Sequence, residues 1–336
     1  MRIPYLTLLA CALAASACGG DSTDPPDPPE EFDPVPFQAP VARILDGTDL
    51  PELAIFNQTT DEIADYFGGI LIPVPIGDEP PLPDHSTPTG AFPEFLKGLT
   101  YEWDTAADEY DDTAAPGAPI AGVRFLAYEV SGTAFAQPLV EAGYVELEDS
   151  GPDGIVGMLA EIDGATQADI KVIATGTLQD GTLRLNGYIG TGNNRVDFDI
   201  IADNTVTATG TASSYTGVFE VGGLTSEVES SVDRGPVVTY DTRVTITSPG
   251  ATVELEGSFD GEGFLGEASV DGVQYATISF APAADPVVTA ADGIVLTAAE
   301  EQLFARAILL LEAPTAFIDA LLPPFLFPLQ VEAGDA

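Results

Sequence analysis

From about residue 120 the chain alternates apolar and polar side chains in short runs. Leu183, Leu185 and Ile189 oppose Arg184, Asn186 and Tyr188. Val196, Phe198 and Ile200 alternate with Asp197 and Asp199, Val244 and Ile246 with Arg243 and Thr245, and Val253 and Leu255 with Glu254 and Glu256. A two-residue period places successive side chains on opposite faces of a strand, so each run predicts a strand with one dry and one wet face. Between the runs stand Asp180-Gly181, Gly192-Asn193-Asn194, Asp203-Asn204, Asp260-Gly261 and Asp271-Gly272, residues that tolerate the positive φ of tight hairpin turns. The pattern predicts an antiparallel meander. Glycines recur inside it, as in IATGTL, RLNGYI, TATGTA and VELEGSF, which points to strong sheet curvature or to a neighbour packed close against bare backbone. The similarity among these segments is too loose to make them a repeat.

Upstream, Val123–Tyr128 and Tyr144–Leu147 read as further strands, and Thr100–Trp103 with Glu109-Tyr110 as a hairpin. The period changes to 3.6 after Phe280. Thr297 and Glu300 have capping-box spacing, and Leu303, Phe304, Ala307, Ile308, Leu310 and Leu311 share one apolar arc, predicting a helix over about 297–313 that Pro314 ends. An apolar tail broken at Pro323-Pro324 follows. The helix is either fixed core on the sheet or a movable lid over an apolar cavity. Thr59-Thr60-Asp61-Glu62 has a similar capping pattern ahead of Ile63, Tyr66 and Phe67, and predicts one short helix within an otherwise irregular region, 41–119. That region includes a proline-broken loop, Ile76 to Gly90, holding His85, the one histidine. The expected fold class is therefore mainly β: a curved antiparallel meander sheet, sandwich-like or a half-barrel, over 120–336, packed by a C-terminal amphipathic helix, with a short helical or irregular N-terminal region.

The first residues are different again. Arg2, an apolar run from Leu6 to Ala15, and the small residues Ser16 and Ala17 have the three parts of an export leader, too short to span a bilayer as a helix. Directly after them stands Cys18. Ala15-Ser16-Ala17-Cys18 resembles the lipobox of bacterial lipoproteins, with Ala15 where that family usually has Leu. The resemblance implies removal of a leader over 1–17, acylation of Cys18 and a membrane held through the N-terminal lipid. It also implies a place in the bacterial cell envelope, and Gly19 rather than Asp after the cysteine favours the outer membrane. Residues 18–40, DSTDPPDPPEEFDPVPFQAP after the glycine pair, are acidic and proline-rich. They are expected to form an extended spacer, reaching roughly 60 Å at about 3.1 Å per residue.

Charge then narrows the chemistry. With 10 basic and 54 acidic residues the formal net charge is −44, which rules against a basic patch for nucleic acid or anionic headgroups. The two cysteines, Cys11 and Cys18, both lie in the leader region, so the body offers no disulfide, thiol nucleophile or cysteine metal site. His85 stands alone, and no G-x-S-x-G, P-loop or H-E-x-x-H occurs. Carboxylates are too many to single out a catalytic pair. Asp149 to Glu161 resembles a calcium loop, but Gly151 replaces a ligand, Pro152 intrudes and Glu161 falls one place late, so an acidic turn is expected. Trp103 could stack on a sugar but reads as core. The expectation is a non-enzymatic structural or interaction module with no cofactor, metal or nucleic acid, its partner an unidentified protein. The alternative is a carrier holding an apolar ligand or lipid between the curved sheet and the C-terminal helix.

Overall fold

Each alternating run is a strand. In the computed structural model, which describes residues 32–70, 96–113, 115–150, 155–176, 180–207, 210–235, 237–281 and 284–326, fifteen strands form one sheet. They are β1 (Thr100–Asp104), β2 (Glu109–Thr113), β3 (Gly122–Tyr128), β4 (Glu141–Asp149), β5 (Ile155–Ile162), β6 (Ala165–Gly176), β7 (Gly181–Ile189) and β8 (Val196–Val206). Then come β9 (Thr211–Val221), β10 (Leu224–Arg234), β11 (Val238–Ser248), β12 (Ala251–Phe259), β13 (Phe264–Val270), β14 (Val273–Phe280) and β15 (Val287–Ala290). From β3 to β15 every strand pairs with the next in sequence, antiparallel throughout. The expected meander is thus present, as a single curved sheet that does not close. The chain divides into Met1–Phe32 and Asp33–Ala336, and these elements belong to the second unit.

One strand leaves the meander. The β1–β2 hairpin forms in the predicted place, but β1 inserts between β2 and β3 and runs parallel to β3, with Tyr101 beside Phe125. The two rings stack with centroids 4.8 Å apart, and Phe67 meets Phe125 edge-on at 5.6 Å. Aromatic burial rather than hairpin geometry selects this neighbour.

Four helices, α1 (Val35–Asp46), α2 (Ala54–Ile70), α3 (Ala298–Ala307) and α4 (Ala313–Leu321), supply apolar side chains against the dry face. Phe317 of α4 sits between Phe198 and Phe219, at 5.2 and 5.1 Å between ring centroids. Leu303, Phe304, Ala307 and Leu310 are all buried. The paired glycines Gly257 and Gly266 realise the expected close approach, since a Cβ on either would stand 2.4 or 2.8 Å from the Phe264 ring lying over them.

Several expectations change. Asp203-Asn204, expected as a turn, lie inside β8, paired with Ser214 and Ser213 of β9, and the ladder runs on to Val206 opposite Thr211. The last residues of the proposed 18–40 spacer are the first half of α1: Phe37, Val41 and Ile44 bury one helical stripe, and Pro36 in the first turn is tolerated because its missing N–H has no intrahelical partner there. Apolar spacing outweighs the prolines, even Pro40 in the helix interior. Thr59–Glu62 caps nothing. The helix begins at Ala54, continuous with a 3₁₀ turn at Pro51–Leu53, and the Thr60 hydroxyl donates back to the carbonyls of Phe56 and Asn57 at 3.0 and 2.9 Å. Where described, the region 41–119 accordingly holds the end of α1, α2, β1 and β2 joined by short turns and loops. The C-terminal helix starts at its predicted capping box, then tightens to 3₁₀ at Ile308–Glu312, and Pro314 opens α4 instead of closing the helical run.

Candidate functional site

The wet face carries a trough of about 630 Å³ crossing β9 to β12. Strand pairing builds its walls. Thr216, Glu229, Arg243 and Glu256 stand in one cross-strand row, and Ser214, Ser231, Asp241 and Ser258 in another. Two residues along a strand separate the rows by about 6.8 Å, and four strands make the trough about 14 Å long. A second hollow of about 260 Å³ shares Ser214, Ser231 and Asp241 and adds Asp203, Thr205, Asp233 and Thr239 towards the strand ends.

Chemically the trough is a field of hydroxyls and carboxylates. Arg243 is paired to Glu256 at 3.2 Å with both side chains more than half exposed, a geometry worth little in water. Among the described residues Glu229, Asp233 and Asp241 form no ion pair, and the cation directly across from Glu229, Arg243, is held by Glu256. The other wet-face arginines are engaged too: Arg184 forks onto Asp199 at 2.8 and 2.6 Å, Arg195 holds Asp197, and Arg124 holds Glu146. Such a surface suits a polar neutral or cationic partner and repels anions.

Under α4 the dry face leaves a small free volume. A cleft of about 160 Å³ lies between α4 and β7–β9, walled by Leu183, Ala202, Tyr215, Ile318 and Leu322. That is below the roughly 300–1,000 Å³ usual for small-molecule sites.

The residues singled out from sequence fall as follows. Cys18, His85 and Asp153 lie outside the described residues. Trp103 is core, 4.9 Å from Phe135 and 5.3 Å from Tyr110 between ring centroids. Asp149 ends β4, and Glu161 is in β5 directly opposite Tyr144, whose phenol donates to it. That hydrogen bond, with burial next, pushes the Tyr144 phenol up to about 12. Glu161 is thereby committed to the sheet. Among the described residues no group of three or more His, Cys, Asp or Glu side chains converges as a metal site.

Two features escaped the sequence. The trough rows are invisible until register is known, because alternation assigns a face but not a cross-strand neighbour. Arg43 of α1 is the other. Its side chain is only 9% exposed and it donates to Glu52 at 3.1 Å, while Asn194, from the turn between β7 and β8, donates to the same Glu52 oxygen at 3.0 Å. Burial pulls the guanidinium pKa down and Glu52 opposes this. The apolar stripe around Arg43 gave the only available signal, since a cation placed there must be paired.

Comparison of the chain with protein-family models, with curated proteins and with solved structures finds no match.

Proposed function

We propose that the chain is a lipid-anchored lipoprotein of the bacterial cell envelope, acylated at Cys18 and held at the outer membrane, whose folded unit is a non-enzymatic interaction module. The observation that carries the second part is the division of labour between the sheet faces. One face is occupied by helices whose Phe304 and Leu310 are fully buried, and the other presents the hydroxyl and carboxylate rows of the trough. The wet face is then the surface offered to a partner protein, and the net charge of −44 favours a partner with a polar or basic contact surface.

The carrier reading finds less support. A ligand between sheet and α4 would need the space that Phe317 fills between Phe198 and Phe219, and the described cleft beside α4 is about 160 Å³.

Membrane fractionation and intact mass measurement test the anchor. Wild-type chain is expected in the membrane fraction with added acyl mass, and Cys18→Ala in the soluble fraction or unprocessed. A mature wild-type chain that begins elsewhere and carries no lipid overturns the lipoprotein reading. A photo-reactive residue placed at Ser231 tests the module. It should cross-link a partner protein in intact cells more than one placed at Ser279 on β14, and equal yields at the two positions count against the trough.

A further inference from the structure

A groove of about 380 Å³ between α1 and the C-terminal helical segment belongs neither to the trough nor to the cleft under α4, and no strand residue lines it. Its floor is Ala42 and Leu45 of α1 with Ala313 and Ala316 of α4, and the alanines leave the space open. Leu309 stands at its side 43% exposed, although its neighbours Ile308 and Leu310 are buried.

The rim is charged, with Arg306 on α3 and Asp46 and Glu312 nearby. Arg43, Arg124, Arg184, Arg195 and Arg243 each meet a carboxylate. Arg306 meets none among the described residues, in a chain with 54 acidic residues to choose from. An uncommitted guanidinium is a phosphate-binding group. Two carboxylates on the same rim would repel an amphiphile carrying only negative charge, and they complement an ammonium group. The apolar floor takes hydrocarbon, and its volume lies at the low end of ligand sites, which suits one chain rather than two.

We propose that this groove binds a zwitterionic phospholipid of the phosphoethanolamine type: phosphate on Arg306, ammonium towards Asp46 and Glu312, one acyl chain along Leu45 and Leu309. The site does not rest on acylation of Cys18, so failure of the anchor experiment leaves it standing.

Calorimetric titration of the full chain carrying Cys18→Ala, which has no lipid of its own to compete, tests the proposal. The probe is monomeric lysophosphatidylethanolamine, compared with lysophosphatidylglycerol of the same chain length. Saturable one-to-one binding of the first is expected, with the second about fivefold weaker or more, the scale of exposed charge pairs. Arg306→Gln should weaken the first about fivefold, and Ala316→Trp should abolish it by filling the floor. Arg306, Leu309 and Ala316 are exposed, so these chains should melt as the parent does. If Ala316→Trp fails to fold, Leu309→Asp replaces it, with the same loss expected. Absence of saturable binding, equal affinity for the two lysolipids, or parental affinity in the floor-filled or Leu309→Asp chain overturns the proposal.

Discussion

Pro314 of α4 rests on the bare backbone of Gly217 in β9: a Cβ built on the glycine would stand 2.9 Å from the Pro314 ring and 2.9 Å from that of Phe219. The helix reaches the sheet this closely only because no side chain intervenes. Gly217→Val should cost about 1–3 kcal/mol, the range for overpacking, measured by denaturant unfolding. At Gly68 in α2 nothing lies within 4 Å of an added Cβ, and Gly68→Ala should stabilise by up to about 1 kcal/mol. A Gly217→Val chain as stable as its parent would mean that α4 is not seated there.

Leu310 and Leu309 are adjacent and differ in burial, at 0% and 43% exposure. Leu310→Ala should cost roughly 2–5 kcal/mol through lost contacts and an unfilled cavity. Leu309→Ala should stay within about 0.5 kcal/mol of the parent. Equal costs would contradict the seating of the 3₁₀ turn on the sheet. If the C-terminal helices are core, truncation before Thr297 should also abolish the cooperative melt, and a truncated chain that keeps it would make them a lid.

Tyr144 gives the sheet an alkaline sensitivity. Its hydrogen bond to Glu161 raises the phenol from 10.0 to about 12, with burial adding to the rise, and the Arg124 guanidinium lies 4.0 Å from the ring centre. The fold favours the neutral phenol, so this contribution is complete below about pH 10 and is lost as pH rises through about 12. Tyr144→Phe should flatten that part of the stability curve, read as unfolding midpoint against pH. An unchanged alkaline slope would remove Tyr144 as its source.

Salt should stabilise the folded chain. Screening shortens the Debye length from about 30 Å at 0.01 M to about 3 Å at 1 M, which relieves repulsion among 54 acidic residues. It also weakens exposed pairs such as Arg184–Asp199 and Arg243–Glu256, but each of these contributes at most about 1 kcal/mol. Repulsion wins, and the melting temperature should rise with NaCl. A fall would show that the ion pairs dominate.

Local periodicity was enough to read strands with clear alternation such as β7, β8, β11 and β12, the turns at Asp260-Gly261 and Asp271-Gly272, and the helix start at Thr297. There the predicted capping box forms, with the Thr297 N–H donating to Glu300 at 2.6 Å and the Glu300 N–H to the Thr297 hydroxyl at 3.3 Å. These features depend on residues a few positions apart, so the chain itself specifies them. The proposed leader motif at Cys18 likewise depends on adjacent residues alone. Where local rules failed, distant contacts had the larger stake: Phe37 and Val41 find buried places, so α1 forms where proline content argued for a spacer. The position of β1 beside β3 answers to Phe125 and Phe67, not to its own hairpin. The trough needs Thr216 and Glu256 brought into one row through three strand pairings. The groove beside Leu309 needs α1 placed beside helices from the other end of the chain. Side-chain alternation assigns a residue to a face, but only tertiary packing chooses its neighbours on that face, because register is set by the summed burial of whole strands.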